Sequence, residues 1–517
     1  MATPQEKLAQ SLEVLQNLQN KQGHDTVIQS TDLTRVHRER LTQLGFIREV
    51  VKGWYMITPP DEQPGDSTSW YTNYWKFCAR YLDERFGDAY CLSAEQSLEL
   101  HAGNWSVPQQ LIVRTSKNIT SNTELLYGTS IFVMHSPLPE KAEIKIQRDI
   151  RILSLPSSLI NCVPTVFTKS PITARTALSL IKDASEILNI LLSGGHSKIA
   201  GRLAGAFHNI GQDRITNDIV KTMQSAGYDI RQIDPFDQES PVKLSAREQS
   251  PYINRIRLMW YSMRDVIIDD FPKPPGIPND PGKYLKNVED IFITDAYHSL
   301  SIERYLVTPE LIERVRRGDW DPKVNEGDKR QKEAMAARGY WQAYQSVLKS
   351  VERVLNKENA GIVVEEDHSD WYRELFAPSV ISGLLHPSDL AGYRNNQVYI
   401  GKSKHVPLNK DALRDAMPEL FQLLQKEPEA SVRAVLGHFV FVFIHPYMDG
   451  NGRMARFLMN VMLASGGYPW TVIPVEERDT YMNSLEKASA DQDISEFAKF
   501  IAWLVRESLA GRSIAQV

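Results

Sequence analysis

His445-Pro446-Tyr447-Met448-Asp449-Gly450-Asn451-Gly452-Arg453-Met454-Ala455-Arg456 places a candidate base, a carboxylate, two glycines around an amide and two arginines within twelve residues. Upstream, Val432, Val435, Leu436, Phe439, Val440, Phe443 and Ile444 recur at helical spacing, and Phe441 and Val442 make the remaining face apolar. This pattern predicts a helix buried on all sides that delivers His445 at its C-terminal end and stops at Pro446. Downstream, Ala455, Leu458, Met459, Met462 and Leu463 predict a second buried helix, ended by Gly466-Gly467.

Gly450-Asn451-Gly452 then falls at a helix N-terminus, where free N–H groups and the helix dipole favour an anion. Glycines allow those groups to turn inward as a nest. Asp449 is a hard oxygen ligand beside the nest, suited to Mg²⁺ shared with phosphates. Arg453 and Arg456 lie near one face and can clamp phosphate oxygens. His445, with an ordinary pKa of about 6.5, can accept a proton at neutral pH. A lone histidine or a lone Gly-Asn-Gly is usually structural; their joint arrangement between two buried helices predicts a phosphate site.

This stretch resembles the signature of the Fic family: His, Pro, an aromatic, any residue, an acid, Gly-Asn-Gly-Arg, two residues, Arg. The resemblance extends from about residue 250 to 510, with Tyr447 where the family usually has Phe. The intact tetrad favours nucleotide transfer over the phosphate transfer of the Doc branch. The resemblance implies an all-α fold with a β-hairpin flap and a protein adenylyltransferase activity. ATP would bind with Mg²⁺ on Asp449, its phosphates at Gly450, Asn451, Gly452 and Arg453, and its γ-phosphate on Arg456. A Tyr, Thr or Ser hydroxyl of a protein target, or of the chain itself, would attack the α-phosphorus while His445 takes the proton. Tyr481 would line the adenine side. Val398, Tyr399, Ile400, Gly401 and His405, read as a short hairpin, resemble the flap that docks the target backbone as an added strand.

Ser299 and Glu303 stand four apart and share one face of a helix expected around 295–307. They resemble the family's inhibitory motif, in which the glutamate pairs with the second signature arginine, here Arg456. Arg304 departs from the Gly or Asn usual at the next position.

The rest of 246–517 is expected to be helical, including Arg247–Asp269 and Asp328–Asn356. Residues 1–58 predict a winged helix: two helices, the second ended by Gly45, then a two-stranded wing around Lys52-Gly53. Arg35, His37 and Arg38 on the second helix are candidates for DNA contact. Seven Lys/Arg face six Asp/Glu in this segment, a net of only one positive charge, so the electrostatic footprint of DNA binding is weak. Pro59–Gly65 reads as a linker. Residues 66–245 read as mixed α/β, with strands at Gln109–Arg114, Ile131–His135 and Val163–Thr168 and one helix over Pro171–Leu192. In layout these two segments resemble AbiEi-type antitoxins, and Gly53, Trp54 and Tyr55 match that wing. The fold class expected is multidomain α+β.

With 517 residues the chain exceeds a single core. A net charge of −5 argues against a chain that coats nucleic acid or membrane as a whole. Three widely spaced cysteines, no signal-like start and no long apolar run predict reduced thiols, a cytoplasmic protein and no membrane partner. A homodimer is a further candidate assembly. Two other readings compete: a Fic-fold transferase using another nucleotide donor, and an antitoxin-like transcriptional regulator using the fold as a nucleotide sensor.

Overall fold

The apolar spacing of the N-terminal segment folds as read in the computed structural model, which describes residues 3–21, 26–63, 65–244, 250–319, 332–512 and 514–517. Helices Pro4–Lys21 and Arg35–Gln43 are followed by strands Ile47–Val51 and Trp54–Ile57, antiparallel around Gly53. An unexpected strand, Val27–Gln29, pairs with Trp54–Ile57 on its other edge. The Pro64 end of the linker, the boundary near 245 and the helix starts expected at Arg247 and Asp328 lie outside the described residues.

The chain divides into two units. The first comprises Met1–Pro251 together with Tyr399–Val406. Its core is the aromatic helix Thr68–Phe86, where Trp70, Tyr74 and Phe77 are fully buried. Trp70 meets Phe77 edge-on at 5.4 Å, and Phe77 stacks on Tyr81 at 5.4 Å. A four-stranded sheet has the order Tyr90–Leu92, Gln110–Thr115, Ser130–His135, Ser121–Glu124, with only the central pair parallel.

Two expectations for this unit fail. Val163–Thr168 forms no strand. Pro164 opens a turn, with the Phe167 N–H donating to the Pro164 carbonyl (3.2 Å), and a short helix follows at Val166–Lys169. Phe167 is held by Phe236, edge-on at 5.4 Å, rather than by a neighbouring strand. The single helix over Pro171–Leu192 is two, Pro171–Ser179 and Ser185–Gly194. Glu186 accepts from the Lys182 and Asp183 N–H groups (2.9 and 3.1 Å), and Asp183 accepts from Ser185 N–H (2.9 Å). These caps satisfy a helix start that an unbroken helix would not need.

The second unit, Tyr252–Val398 with Pro407–Val517, is helical. Helices Lys332–Leu355 and Ala360–Ile381 pack together, and Asn359 caps the second through the Gly361 and Ile362 N–H groups. The helix expected over 295–307 runs Phe292–Ile302. At its centre lie Ala430–Ile444 and Asn451–Ser465, the two helices predicted from the apolar spacing. Phe439, Phe443, Leu458 and Met462 are at most 4% exposed. Each such side chain contributes about 2–3 kcal/mol by burial, so the turn between the helices hangs from a rigid base. Among the described residues no helix is long and apolar enough to cross a membrane.

Candidate active site

The turn between the two central helices presents the signature side chains. His445 caps Ala430–Ile444 in the left-handed conformation (φ 55°, ψ 63°), and its N–H donates to the Phe441 carbonyl at 2.9 Å. Its Nδ1 lies 3.2 Å from the Val442 carbonyl. A carbonyl only accepts, so Nδ1 carries the proton and Nε2 is left with a free lone pair. Burial pushes the imidazole pKa down to about 4; Arg394 lowers it further, while the Val442 carbonyl, Glu303 and Asp449 oppose. The ring is therefore neutral across the physiological range.

Gly450 (φ 83°) turns the chain into Asn451–Ser465, and the first regular helical bond is Met454 N–H to the Gly450 carbonyl at 3.0 Å. The Asn451, Gly452 and Arg453 N–H groups precede the first helical bond, a helix end of the kind that favours an anion, while the Gly450 N–H donates to Asp449 Oδ1 at 2.6 Å. The Asn451 side chain holds the turn beneath the backbone nest. It accepts from the Tyr447 N–H (2.9 Å) and donates to the Tyr447 carbonyl (2.8 Å), closing the turn. Tyr447 is buried and stacks on Tyr372 at 3.8 Å, so it serves as the aromatic anchor.

Both arginines are buried beneath this cradle. Arg453, 1% exposed, donates to Asp449 Oδ2 at 3.3 Å, and its guanidinium sits between the Tyr305 and Phe376 rings at 5.3 and 5.0 Å. Arg456 donates through Nε to Ser299 Oγ (2.8 Å) and through Nη2 to the Ser299 carbonyl (3.0 Å) and Glu303 Oε1 (2.8 Å). Arg453 Nε and Arg456 Nη1 are buried without a partner. Each such donor costs about 1–3 kcal/mol, a cost that an anionic oxygen arriving at the cradle would relieve.

The Glu303 carboxylate lies over that cradle. A Cβ added at Gly452 would stand 2.4 Å from Glu303 Oε1 and 3.2 Å from Arg456 Nη1, so only glycine leaves room. Burial raises the Glu303 pKa, but Arg456, Arg453 and Arg478 outweigh it and hold the carboxyl below its ordinary range. The helix carrying it ends in a Schellman turn: Tyr305 N–H donates to the Leu300 carbonyl (3.1 Å) and Arg304 N–H to Ser301 (2.9 Å). Arg304 occupies the left-handed position of that turn at φ 66°. Arg478 Nε secures the last helical carbonyl, Ile302, at 2.8 Å. Further back, Asp295 accepts from Tyr340 (2.6 Å) and Trp470 (3.0 Å), anchoring the helix to the core.

The fold thus brings together His445, Asp449, Gly450, Gly452, Arg453, Arg456, Ser299 and Glu303. Tyr481 lies deeper. It is 1% exposed and its hydroxyl bonds His438 Nε2 at 2.8 Å. Tyr305 and Phe376 went unnoticed in the sequence, because aromatics on helix ends carry no motif.

Asp449 fits the expected Mg²⁺ as one carboxylate among substrate oxygens. Its side chain is 66% exposed, and no group of three or more His, Cys, Asp or Glu that could hold a metal occurs among the described residues. One carboxylate completed by phosphate oxygens is the usual arrangement for this ion.

The hairpin expected over Val398–His405 is not a strand pair. No strand is assigned there, and Val398, Ile400 and Gly401 lead into a turn in which Ser403 N–H donates to the Ile400 carbonyl (3.1 Å). Residues Tyr399–Val406 belong to the first unit, where Lys402 N–H donates to Thr68 (3.0 Å) and the Lys404 carbonyl accepts from Val107 (2.9 Å). Tyr399 and Val406 pack into its aromatic core, and His405 is 3% exposed. These bonds and the packing of Tyr399 and Val406 hold the segment to that unit without a partner strand. Of Arg35, His37 and Arg38, Arg35 is exposed and pairs with Glu39 at 2.7 Å. His37 bonds Ser11 (2.9 Å) and Arg38 the Ser30 carbonyl (2.7 Å).

Residues 366–463 match the model of the Fic/DOC family. The protein adenylyltransferase Fic of Drosophila virilis is 37% identical over 133 residues, 25% of this chain and 27% of that protein. That of Drosophila yakuba is 36% identical over 133 residues, 25% of this chain and 26% of that protein. The chain spans about a quarter of the length of these curated relatives. Among solved structures, Fic-1 of C. elegans aligns with TM-score 0.38 and 17% identity over 66% of this chain and 91% of its own. A Fic-domain signaling protein from Bacteroides thetaiotaomicron aligns with TM-score 0.34 and 17% identity, over 51% and 99%.

Proposed function

With a Fic domain at residues 366–463, we propose that the chain is a protein adenylyltransferase that transfers AMP from ATP to a hydroxyl of a protein target or of itself, and that Glu303 restrains it. The observation carrying this reading is the seat of Glu303. A carboxylate lies in the helix N-terminal cradle, 2.8 Å from Arg456, while one N–H of each buried arginine stays unpaired. Such a site is built for a larger polyanion, and the glutamate covers part of it.

In the reaction, His445 Nε2 takes the proton of the acceptor hydroxyl as its oxygen attacks the α-phosphorus. The bond from that phosphorus to the bridging oxygen breaks, and pyrophosphate leaves. The N–H groups of the first helical turn at Asn451–Arg453 and the Arg453 guanidinium neutralise developing charge, and the turn keeps the base and the cradle in fixed register. Mg²⁺, held by Asp449 with the phosphates, would supply further charge neutralisation. Arg456 receives the γ-phosphate when Glu303 withdraws. Proteins are the acceptor class because the curated relatives are named protein adenylyltransferases. The N-terminal unit serves as a docking module. The net charge of its first 58 residues is only one positive, and Arg35, His37 and Arg38 already bond Glu39, Ser11 and the Ser30 carbonyl, which favours a protein partner over DNA.

The nest reads phosphates rather than the base, so donor choice tests the reading. Glu303→Gly protein incubated with α-labelled ATP, GTP, UTP or CTP should label protein predominantly from ATP. Equal labelling from all four would assign a different donor class, and labelling from none would remove the transferase reading.

Arg304 supplies a second test. A non-glycine residue held left-handed costs about 1 kcal/mol, and the Schellman turn that seats Glu303 bears that cost. Arg304→Gly should therefore deepen the restraint and lower basal self-labelling about fivefold. Unchanged or faster labelling would show that this turn does not set the restraint.

A further inference from the structure

Arg394 is 3% exposed, and the acceptors of its hydrogen bonds are backbone carbonyls. Its Nε donates to the His445 carbonyl at 2.7 Å, and its own N–H donates to the Pro446 carbonyl at 2.9 Å. These two carbonyls follow the end of helix Ala430–Ile444, where the left-handed exit at His445 removes them from any helical ladder. The other edge of the guanidinium faces a different segment. Nη1 donates to the Asn396 carbonyl at 2.8 Å, and Nη2 donates to the Leu408 carbonyl. Asn396 and Leu408 are the two stems of the excursion that contributes Tyr399–Val406 to the first unit. Gln397 repeats the link, donating to the Val398 and Pro407 carbonyls at 3.2 and 2.9 Å.

A buried cation is rarely retained where carbonyls are its only support. A planar fork can reach three carbonyls at fixed angles; a lysine ammonium cannot reproduce that pattern. The position therefore demands arginine for geometry rather than for charge alone.

We propose that Arg394 is a positioning residue that holds His445 in its proton-accepting pose and ties that pose to the stems of the 399–406 segment. This deepens the transferase reading and rests on it. Movement of the stems, on which the segment hangs, would thereby reach the base through one guanidinium, whereas the phosphate cradle at Gly450–Arg456 has no bond to it.

The test uses full-length protein in the Glu303→Gly background. Arg394→Lys keeps the charge and removes the fork. Its kcat for self-labelling should fall about 30-fold while KM for ATP stays within about twofold. Arg394→Gln removes the charge as well. The charged groups facing the His445 ring are Arg394, which lowers its proton affinity, and Glu303 and Asp449, which raise it. In Arg394→Gln the His445 titration midpoint, followed by NMR of the ring Cε1–H, should rise from about 4 by the part that Arg394 contributes, with burial still holding it below the ordinary value. A role confined to holding the stems would leave it unmoved. In the parent protein the Arg394 Nε–H should exchange slowly with solvent. That measurement stands even where a variant does not fold. A raised KM with unchanged kcat in Arg394→Lys, an unmoved midpoint in Arg394→Gln, or fast Nε–H exchange in the parent would each overturn the proposal. If the Glu303→Gly protein labels nothing with any nucleotide, the transferase reading fails, and the titration and the exchange rate still decide the positioning role.

Discussion

Replacing Glu303 by Gly should raise the initial rate of protein labelling by α-labelled ATP between about 30- and 100-fold. The carboxylate bonds an arginine whose side chain is only 6% exposed, and it lies over Gly452 where an arriving phosphate would sit. A charge-assisted bond of this kind contributes about 2–3 kcal/mol, and a competitor lost from the cradle returns that amount to ATP binding and γ-phosphate placement. Glu303 is the C-cap of its helix, so glycine there costs the helix little. Ser299 keeps its hold on Arg456 through Oγ and the carbonyl, and the guanidinium stays in place with a free edge. Glu303→Gln, which keeps the shape and drops the charge, should fall between parent and Gly. An unchanged rate in Glu303→Gly would mean that the pair is structural.

The second large effect is expected at His445. In the Glu303→Gly background, His445→Ala should lower kcat by about 10²–10⁴-fold, the range that general-base help supplies. ATP binding by calorimetry should change little, since the cradle and both arginines lie elsewhere on the turn. The pH profile carries the same claim. The base works in its neutral form, and its proton leaves as pH rises through about 4. The limb of kcat/KM set by His445 should therefore be flat from pH 8 to pH 5 and fall only below that, with no half-maximum near the ordinary imidazole value of about 6.5. Removing Glu303 takes away one of the groups that raises the histidine's proton affinity, so the limb moves down in that variant. A half-maximum near 6.5 would show either that His445 is more exposed than the fold places it or that another group titrates.

The catalytic turn was legible in the sequence because its parts are local. Apolar spacing marked both buried helices, and Ser299 and Glu303 needed only one helical turn to share a face. That Glu303 reaches Arg456, 153 residues away, followed from the family resemblance and could not have come from spacing. What sequence could not show was partnership. The alternation at 397–407 looks like a hairpin, but alternation does not say which neighbour will satisfy a strand, and here the first unit does. Val163–Thr168 has strand composition, yet Pro164 and the packing of Phe167 on Phe236 make a turn and a short helix. The break in Pro171–Leu192 is encoded by Asp183 and Glu186, two ordinary charges whose capping role needs the fold. Arg394 left no trace because its partners are carbonyls, which every residue has. Arg304 is the reverse case: a departure from the expected Gly or Asn that the left-handed turn explains.

The most direct measurement compares two labels on one substrate. Glu303→Gly protein is incubated in parallel with ATP labelled at the α-phosphate and ATP labelled at the γ-phosphate, and denatured protein is counted after separation. Attack at the α-phosphorus predicts stable label from the first and none from the second, with both signals absent in the His445→Ala double variant. Label retained from the γ-phosphate, or α-label that survives His445→Ala, would contradict the account.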